Sequence, residues 1–484
     1  MTIERLLKKA LEKNPSIDTK EMIRAYEFAD KAHKNQLRKG GEPYIEHCLH
    51  TAFNLAQIRA DQNTIVAGIL HDVPEDTEHT VEEIEEIFGK DVSKLVDGIT
   101  KLGKIKYRGI ERYRENLRKM FLAVIDDVRI IYIKFCDRLH NLKTLDALPE
   151  NKQQRIAKET LEIYAPIAGL MGIWRLKWQM EDICFKYLYP TEYKKIEYKY
   201  EIEKKAERNQ FFIKVKNRLE EDLKKLNIEY EISARFKHLY SIWQKMQRKD
   251  RKFDEIYDVF ALRVVVNNIE ECYKILGIIH SIWKPISRRF KDYIAIPKPN
   301  GYRSLHTTII GPEGKATEFQ IKTREMHEES LYGIASHWNY KNEGSKDYSK
   351  PNWIKEILEI QKENQDTEKF IQEIKTNIFQ DRIFVFSPKG DVIELPEKST
   401  PIDFAYAIHT DVGNKTSGVL INEKIASLNQ ELKNGDIVEI IIEKNRKGPN
   451  IQWLDFAKTK HARERIKQYS QASPLYKFKK IFTK

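Results

Sequence analysis

The spacing of apolar residues changes period along this chain, and that change requires more than one folding unit. Through residues 20–190 apolar side chains recur three and four apart, as in Met22, Ala25, Phe28 and Ala29, and again in Ile65, Val66, Ile69 and Leu70. That is the spacing of helices with one buried face. From Ile228 onward alternation takes over, first in Ile228, Tyr230 and Ile232, the period of a half-buried strand. Further strand signals lie at 259–266, 293–296, 302–310 and 316–321. A third group opens with Arg382–Phe386, turns at Pro388-Lys389-Gly390 and ends in 436–442. The expected order is an all-α domain with its helical connector over 1–195, an α+β domain over 196–345 and a polar, helix-prone linker over 346–380. A small β-rich domain over 381–443 and a basic tail over 444–484 follow. A length of 484 residues, at about 100–200 residues per domain, agrees with three domains.

Composition removes several function classes. A mean hydropathy of −0.61, with no apolar run near the ~18 residues that span a bilayer, excludes an integral membrane protein. Residues 1–13 carry lysines but no apolar core, so they do not read as a secretory signal. Cys48, Cys136, Cys184 and Cys272 are far apart and form no CxxC pair. This argues against a zinc ribbon or disulfide framework and fits a reducing cytosol. Of the net charge of +12, the segment 444–484 holds +10, from twelve Lys/Arg and two acids. Interleaved with Trp453, Phe456, Tyr469, Tyr476 and Phe478, that charge suits phosphate neutralisation with stacking on bases. It equally suits a solvated helix surface.

Two constellations carry chemistry. In the helical half, His47 sits in a helix start, His71-Asp72 closes an apolar helix, and Asp137 opens the run Asp137-Arg138-Leu139-His140-Asn141. Two imidazoles and two carboxylates can bind one divalent transition metal, with Mn, Fe or Zn chemically allowed. Glu75 and Asp76 follow within one turn, close enough to accept a proton or to support a ligand. Asp137, Asn141 and Thr144 share a helix face, and Arg38 and Lys39 lie just upstream as phosphate contacts. A lone His-Asp dipeptide is also a common surface pair or helix cap, and His33, His50, His79 and His140 receive structural or unassigned roles. In the strand-bearing half, residues 235–252 hold seven Lys/Arg and one acid, including Arg235, Lys237 and Lys245. Asp258 heads an apolar strand, and alternation puts Glu318, Gln320 and Lys322 on one face of another. Two carboxylates on neighbouring strands suit Mg²⁺ between phosphates, and one of them suits proton abstraction from a hydroxyl. After the Asn300-Gly301 turn, Tyr302, Ser304 and His306 alternate onto one face, a pattern for stacking on a base and contacting phosphate or ribose. The same residues also read as an amphipathic surface helix and half-exposed strands.

Residues 32–50, 70–77 and 135–145, with the run His-Asp-x-x-Glu-Asp-Thr from His71 to Thr77, resemble the HD phosphohydrolase domain of the RelA/SpoT homologue family. The resemblance implies Mn²⁺ held by His47, His71, Asp72 and Asp137, and removal of the 3′-pyrophosphate of (p)ppGpp. It gives Glu75 and Asp76 catalytic roles and assigns substrate to Arg38, Lys39, Asn141 and Thr144. Asn35 and Cys48 stand where many members have Gly and Pro, and Gly40 where many have Ser. Residues 235–246, 257–266, 289–308 and 318–323 look like the synthetase domain of the same family, which moves the β,γ-pyrophosphate of ATP to the 3′-hydroxyl of GTP or GDP. That implies Mg²⁺ on Asp258 and Glu318, Glu318 as base, and Tyr302 stacked on guanine. Phosphate or nucleotide contacts would come from His306, Arg235, Lys237 and Lys245, and from Arg289 and Lys291. The run Arg289-Phe290-Lys291-Asp292 is the bifunctional type of its motif, and Arg303 replaces the common Gln. Arg263, five residues beyond Asp258, is expected on the opposite face. Residues 381–443 resemble a TGS domain, in which His409 matches a tRNA-contacting histidine.

The expected fold is thus multidomain: an all-α HD-type hydrolase, an α+β nucleotidyltransferase-like synthetase and a small β-grasp-like TGS domain. The expected protein is a cytoplasmic, bifunctional (p)ppGpp synthetase and hydrolase, a short form without the zinc-finger and ACT region. It would use Mn²⁺ and Mg²⁺, bind ATP, GTP/GDP and (p)ppGpp, and meet ribosome and tRNA through TGS and tail, with no membrane partner. Reciprocal control of the two activities is expected, since both at full rate would waste ATP. The competing readings are a hydrolase-dominant enzyme with weak synthesis and a ribosome- or tRNA-binding regulator with vestigial catalysis.

Overall fold

The computed structural model describes residues 1–103, 120, 123, 126–205, 207–226, 228–249, 253, 260–287, 289–298, 300–333, 382–433, 435–446 and 448–472. Asp258, the whole of the expected linker and the tail beyond 472 lie outside them. The chain divides into two compact units, 1–354 and 355–484.

The first unit opens with a helical domain built around three helices, Tyr44–Gln57, Gln62–Leu70 and Val128–Lys143. Their apolar residues are nearly all buried, so each is surrounded by other helices instead of lining a surface. Gly68 permits one close approach, since a Cβ there would lie 2.4 Å from Leu55 Cδ1. The starts of two of these helices are fixed by carboxylate caps. Asp61 accepts from Thr64 N at 3.0 Å and Asp127 from Arg129 N at 3.0 Å. Arg129 then pairs with Asp61 at 3.7 Å and with Asp91 at 2.7 Å, tying the cap of the helix that precedes His71 to the helix that carries Asp137.

The second domain is a five-stranded mixed sheet in the order β1-β2-β5-β4-β3. Its strands are β1 (Glu231–Phe236), β2 (Phe260–Val266), β3 (Lys291–Asp292), β4 (Leu305–Ile310) and β5 (Ala316–Thr323). β2 and β5 run parallel and the other pairs antiparallel. Leu262, Val264, Val266, Leu305, Ile309, Phe319 and Ile321 form one core with Val215, Leu219, Cys272, Ile275 and Ile279 of the helices Glu207–Leu223 and Ile269–Ile282. Period-2 geometry then sends Glu318, Gln320, Lys322 and His306 to the other face. One expected strand, 293–296, is not formed and another, 302–310, was too long. Residues 293–296 form a turn, where Asp292 Oδ1 accepts from Ile294 N and Ala295 N, and 302–304 precede β4 as extended chain.

The helix Trp174–Leu188 joins the two domains. Asp182 accepts from Leu239 N at 3.3 Å and Tyr240 N at 2.9 Å, capping the basic helix Leu239–Lys249, while Glu181 meets His238 at 3.1 Å. Nearby, Asn300 Nδ2 donates to Gly169 O, Tyr132 Oη to Tyr332 O, and Arg59 forms an ion pair with Glu328 at 2.8 Å.

In the second unit, β6 (Arg382–Phe386) pairs with β7 (Val392–Pro396), and β8 (Thr416–Ile421) lies between β10 (Val438–Ile442) and β9 (Lys424–Ala426). The helix Pro401–Ile408 packs against them. Asp403 is fully buried and accepts from Thr400 N, Lys458 N and Thr459 N. Trp453, Ala462 and Ile466 form one core with Ile402 and Tyr406. This corrects the reading of the tail as a row of stacking aromatics: Trp453 is buried, because residues 450–472 complete a core and do not trail from it. Tyr476 and Phe478 lie outside the described residues.

Gly333 stands at φ +61° at the junction of the first two domains, and a Cβ there would lie 2.3 Å from Met171 O. Replacing it by alanine adds both left-handed strain and a backbone clash, each costing about 1–3 kcal/mol or more. Gly333→Ala should therefore lower the melting temperature by several degrees in calorimetry. Gly277→Ala, in a helix with open space around it, should leave it unchanged or raise it.

Candidate functional sites

The helical domain gathers His47, His71, Asp72 and Asp137. His47 Nε2 lies 3.2 Å from Asp72 Oδ2 and 3.3 Å from Asp137 Oδ1, and His71 Nε2 lies 3.2 Å from Asp72 Oδ1. The imidazoles and Asp137 are buried. One donor atom from each of His47, His71 and Asp137 falls within 4.8 Å of the others.

The proton positions around His47 decide what the cluster needs. Arg38 Nη1 lies 3.2 Å from His140 Nδ1, and a guanidinium has no acceptor, so His140 Nδ1 carries a lone pair. His47 Nδ1, 2.8 Å from the same atom, must then be the donor. In neutral His47 this leaves Nε2 unprotonated, its lone pair aimed at two carboxylate oxygens. Such an arrangement is repulsive unless a proton or a metal cation sits among them. Burial, reinforced by the Arg38 guanidinium, pushes His140 down to about 2. Burial disfavours the charge on His71 as well, yet Asp72 and Asp137 outweigh it and raise that imidazole to about 9. Burial also opposes ionisation of Asp137, but Lys134, 2.8 Å away, and the imidazoles hold it well below the usual carboxylate range. The donor set and the opposed lone pairs fit one divalent cation.

Around this centre, Arg38 is presented by a turn closed by Arg38 N→Glu42 O. Its Nη2 donates to Asn141 Oδ1 at 2.6 Å, and Asn141 Nδ2 donates to Asp137 Oδ1 at 2.5 Å. Glu75, Asp76 and Lys39 are exposed. Thr144 turns its hydroxyl to His140 O. The sequence reading passed over three contributors. Tyr44 Oη lies 3.0 Å from Asp72 and 2.6 Å from Asp76; its place one helical turn before His47 was the available signal. Lys134 stands one turn before Asp137. His140 had none, because its role depends on contact with His47, 93 residues away.

The sheet domain builds a site of opposite sign. Lys322 Nζ donates to Tyr302 Oη at 3.3 Å and lies 4.5 Å from the ring centroid. Tyr302 Oη meets His306 Nε2 at 2.9 Å, His306 Nδ1 faces Glu318 Oε1 at 3.4 Å, and Gln320 donates to that oxygen at 2.8 Å. Burial, with Lys322, Arg235 and Lys298 nearby, holds His306 well below its ordinary value and keeps it neutral. Lys322, 2% exposed, is likewise lowered by burial and by Arg263 and Arg235. Arg263 corrects an expectation. It pairs in register with Gln320 and so lies on the Glu318 face; the described strand starts only at Phe260, so alternation counted from Asp258 does not apply. Arg235 joins this group through β1. Lys237 and Lys245 belong to the capped basic segment, and Arg289 and Lys291 are exposed beside β3. Half-buried Arg235 and Arg263, with buried Lys322, around one carboxylate form a receptor for a polyanion. In the second unit, exposed His409 accepts from Asp411 N at 3.2 Å.

Comparison with known proteins bears on both sites. Family models for an HD domain match residues 25–174, for the region found in RelA/SpoT proteins residues 234–345, and for a TGS domain residues 383–442. Guanosine-3′,5′-bis(diphosphate) 3′-pyrophosphohydrolase of Aquifex aeolicus is 47% identical over 97% of this chain and 67% of its own length. The chain belongs to the RelA/SpoT family. GTP pyrophosphokinase of Myxococcus xanthus is 44% identical over 94% of this chain and 61% of its own length. The bifunctional (p)ppGpp synthase/hydrolase SpoT of Escherichia coli K12 is 42% identical over 94% and 65%. The chain therefore spans about three fifths to two thirds of these relatives. Among the described residues no helix is long and apolar enough to cross a membrane.

In this RelA/SpoT chain, His140 fixes the tautomer of His47. Outer partners of that kind are worth about 10–100-fold in metal affinity. His140→Phe, which keeps the ring but removes the acceptor, should weaken Mn²⁺ binding in calorimetric titration by about that factor. Unchanged affinity would show that His47 needs no such partner.

Proposed function

We propose that the chain makes and degrades (p)ppGpp at two separate sites and acts in the stringent response of the cytoplasm. The observation that carries this reading is the opposite polarity of the two constellations: a carboxylate–imidazole cluster that needs a cation, and a cation-rich sheet face that needs a polyanion.

In the hydrolase, Mn²⁺ would be held by His47, His71, Asp72 and Asp137 and would supply Lewis-acid activation of a nucleophile near neutral pH. Arg38 and Lys39 bind phosphate oxygens, with Arg38 held by Asn141 and Thr144 closing that helix face. Glu75 or Asp76 takes the proton of the attacking water. The bond from the 3′ oxygen to phosphorus breaks, releasing pyrophosphate and GDP or GTP. In the synthetase, Mg²⁺ would be held by Asp258 and Glu318 and would neutralise phosphate charge. Glu318 accepts the proton of the GDP or GTP 3′-hydroxyl. That oxygen attacks the β-phosphorus of ATP, the bond to the α-phosphate breaks, and AMP leaves. Tyr302, backed by Lys322, stacks on guanine, while Arg235, Lys237, Lys245, Arg263 and His306 meet nucleotide or phosphate, with Arg289 and Lys291 at the rim.

Asp182 and Glu181, on the helix that joins the domains, hold the start of the basic helix, which gives one site a physical route to bias the other. The TGS domain, with exposed His409, and the basic tail fit contact with tRNA on the ribosome.

Two incubations followed by nucleotide chromatography test the reading: ATP and GDP with Mg²⁺, and ppGpp with Mn²⁺. Asp72→Ala should abolish hydrolysis and spare synthesis. Glu318→Gln should cut synthesis about a hundredfold or more and spare hydrolysis. Loss of both activities in either folded variant would contradict separate sites, and no product from wild type in either mixture would leave only a binding role.

A further inference from the structure

Tyr302 stands just ahead of β4, outside the strands of the sheet. Residues 300–304 are turn and extended chain, and Gly301 at φ +77° adopts a backbone conformation open to few other residues. The helix Arg324–Tyr332 holds this stretch in place. Arg303 Nη2 donates to Glu329 Oε2 at 2.8 Å and to Oε1 at 3.0 Å. The two side chains are 30% and 20% exposed, so solvent ions screen the pair only in part. The next residue of the helix, Ser330, accepts from Lys322 Nζ at 3.4 Å, and that same ammonium donates to Tyr302 Oη. The helix is itself anchored. Thr323 caps it by accepting from Met326 N, Met326 and Tyr332 are buried, and Glu328 pairs with Arg59 of the helical domain.

We propose that Arg303 and Glu329 are a positioning pair for the acceptor nucleotide: their contact holds Tyr302 where it receives the guanine of GDP or GTP. The inference rests on reading Tyr302 as the guanine-stacking residue of the synthetase. Charge-assisted hydrogen bonds to a carboxylate are the strong kind, and this one fixes the residue next to Tyr302 against an anchored helix. Because its charge is matched by Glu329, Arg303 orders the chain and is not offered to a phosphate. Apparent affinity scales with the fraction of molecules whose binding residues are already in place. Loosening the pair therefore weakens capture of the acceptor. It does not alter the chemical step once the acceptor is bound, because Glu318 and the phosphate contacts carry that step. The affinity for ATP does not pass through Tyr302.

Steady-state synthesis by the full chain, with GDP and ATP varied in turn, reads this directly. Arg303→Ala and Glu329→Ala should each raise the KM for GDP about five- to thirty-fold, the span of one charge-assisted contact. The kcat and the KM for ATP should stay within about twofold on the same scale. The reversed pair, Arg303→Glu with Glu329→Arg, should recover most of that loss, which a general disturbance of the fold would not allow. Arg324→Ala removes a bond to Asn267 at the other end of the same helix and should leave both KM values as in wild type. An unchanged KM for GDP in Arg303→Ala, or both KM values rising together, would overturn the proposal and leave the synthetase reading intact. Absence of any synthesis by wild type would overturn both. Where an alanine variant fails to fold, the isosteric Glu329→Gln decides: a raised KM for GDP supports the pair, and a wild-type value overturns it.

Discussion

The helical domain is arranged around an imidazole nitrogen facing two carboxylates. His47 Nε2 sits between Asp72 and Asp137 at 3.2 and 3.3 Å, deep in a helical core. An imidazole lone pair facing carboxylates is repulsive, though by less than the about 4 kcal/mol that two full charges 4 Å apart cost at an effective dielectric near 20. Lys134 and Tyr44 pair with the carboxylates, while the residues behind His47 enforce the contact. Arg38 obliges His140 to accept, His140 obliges His47 to donate, and the lone pair of His47 is thereby turned inward. Arg129 fixes the two helices that bring His71 and Asp137 together. The three central helices can be read as scaffolding that keeps these groups close until a cation resolves the conflict.

The sheet domain solves the converse problem by a simpler device. One strand alternation sends Phe319 and Ile321 into the core and Glu318, Gln320 and Lys322 to the opposite face. Nearby Arg235, Arg263, Lys298 and His306 then crowd around one carboxylate. Partial burial removes water from Arg235, Arg263 and Lys298, so phosphate groups are the natural complement. A helix that contacts both domains caps the basic segment with Asp182, and the tight passage at Gly333 locks the junction.

Much of this was legible in the sequence because it follows from period. Helical spacing and strand alternation gave the domain order, and the same alternation already placed Lys322 beside Glu318. The runs around His71 and Asp137 named residues that gather around His47. What escaped depended on contact between distant residues. His140 matters only because it meets His47, and Tyr44 because it reaches Asp72 and Asp76. Arg263 was assigned to the wrong face because alternation was counted through residues that precede the described strand. Trp453 was read as an exposed aromatic because a basic tail suggests solvent, whereas Asp403 and Tyr406 draw that segment into a core. Local pattern records faces of single elements; it does not record which faces meet.

The central claim is that the His47 cluster is incomplete without a divalent cation. Thermal unfolding of the full chain against Mn²⁺ concentration tests it most directly, since an ion bound only by the folded state stabilises by about 2.7 kcal/mol at a hundred times its Kd. The account predicts a saturable rise in Tm for wild type and for Glu318→Gln, and none for His47→Ala. A Tm that ignores Mn²⁺ in wild type, or a rise that survives in His47→Ala, would contradict it.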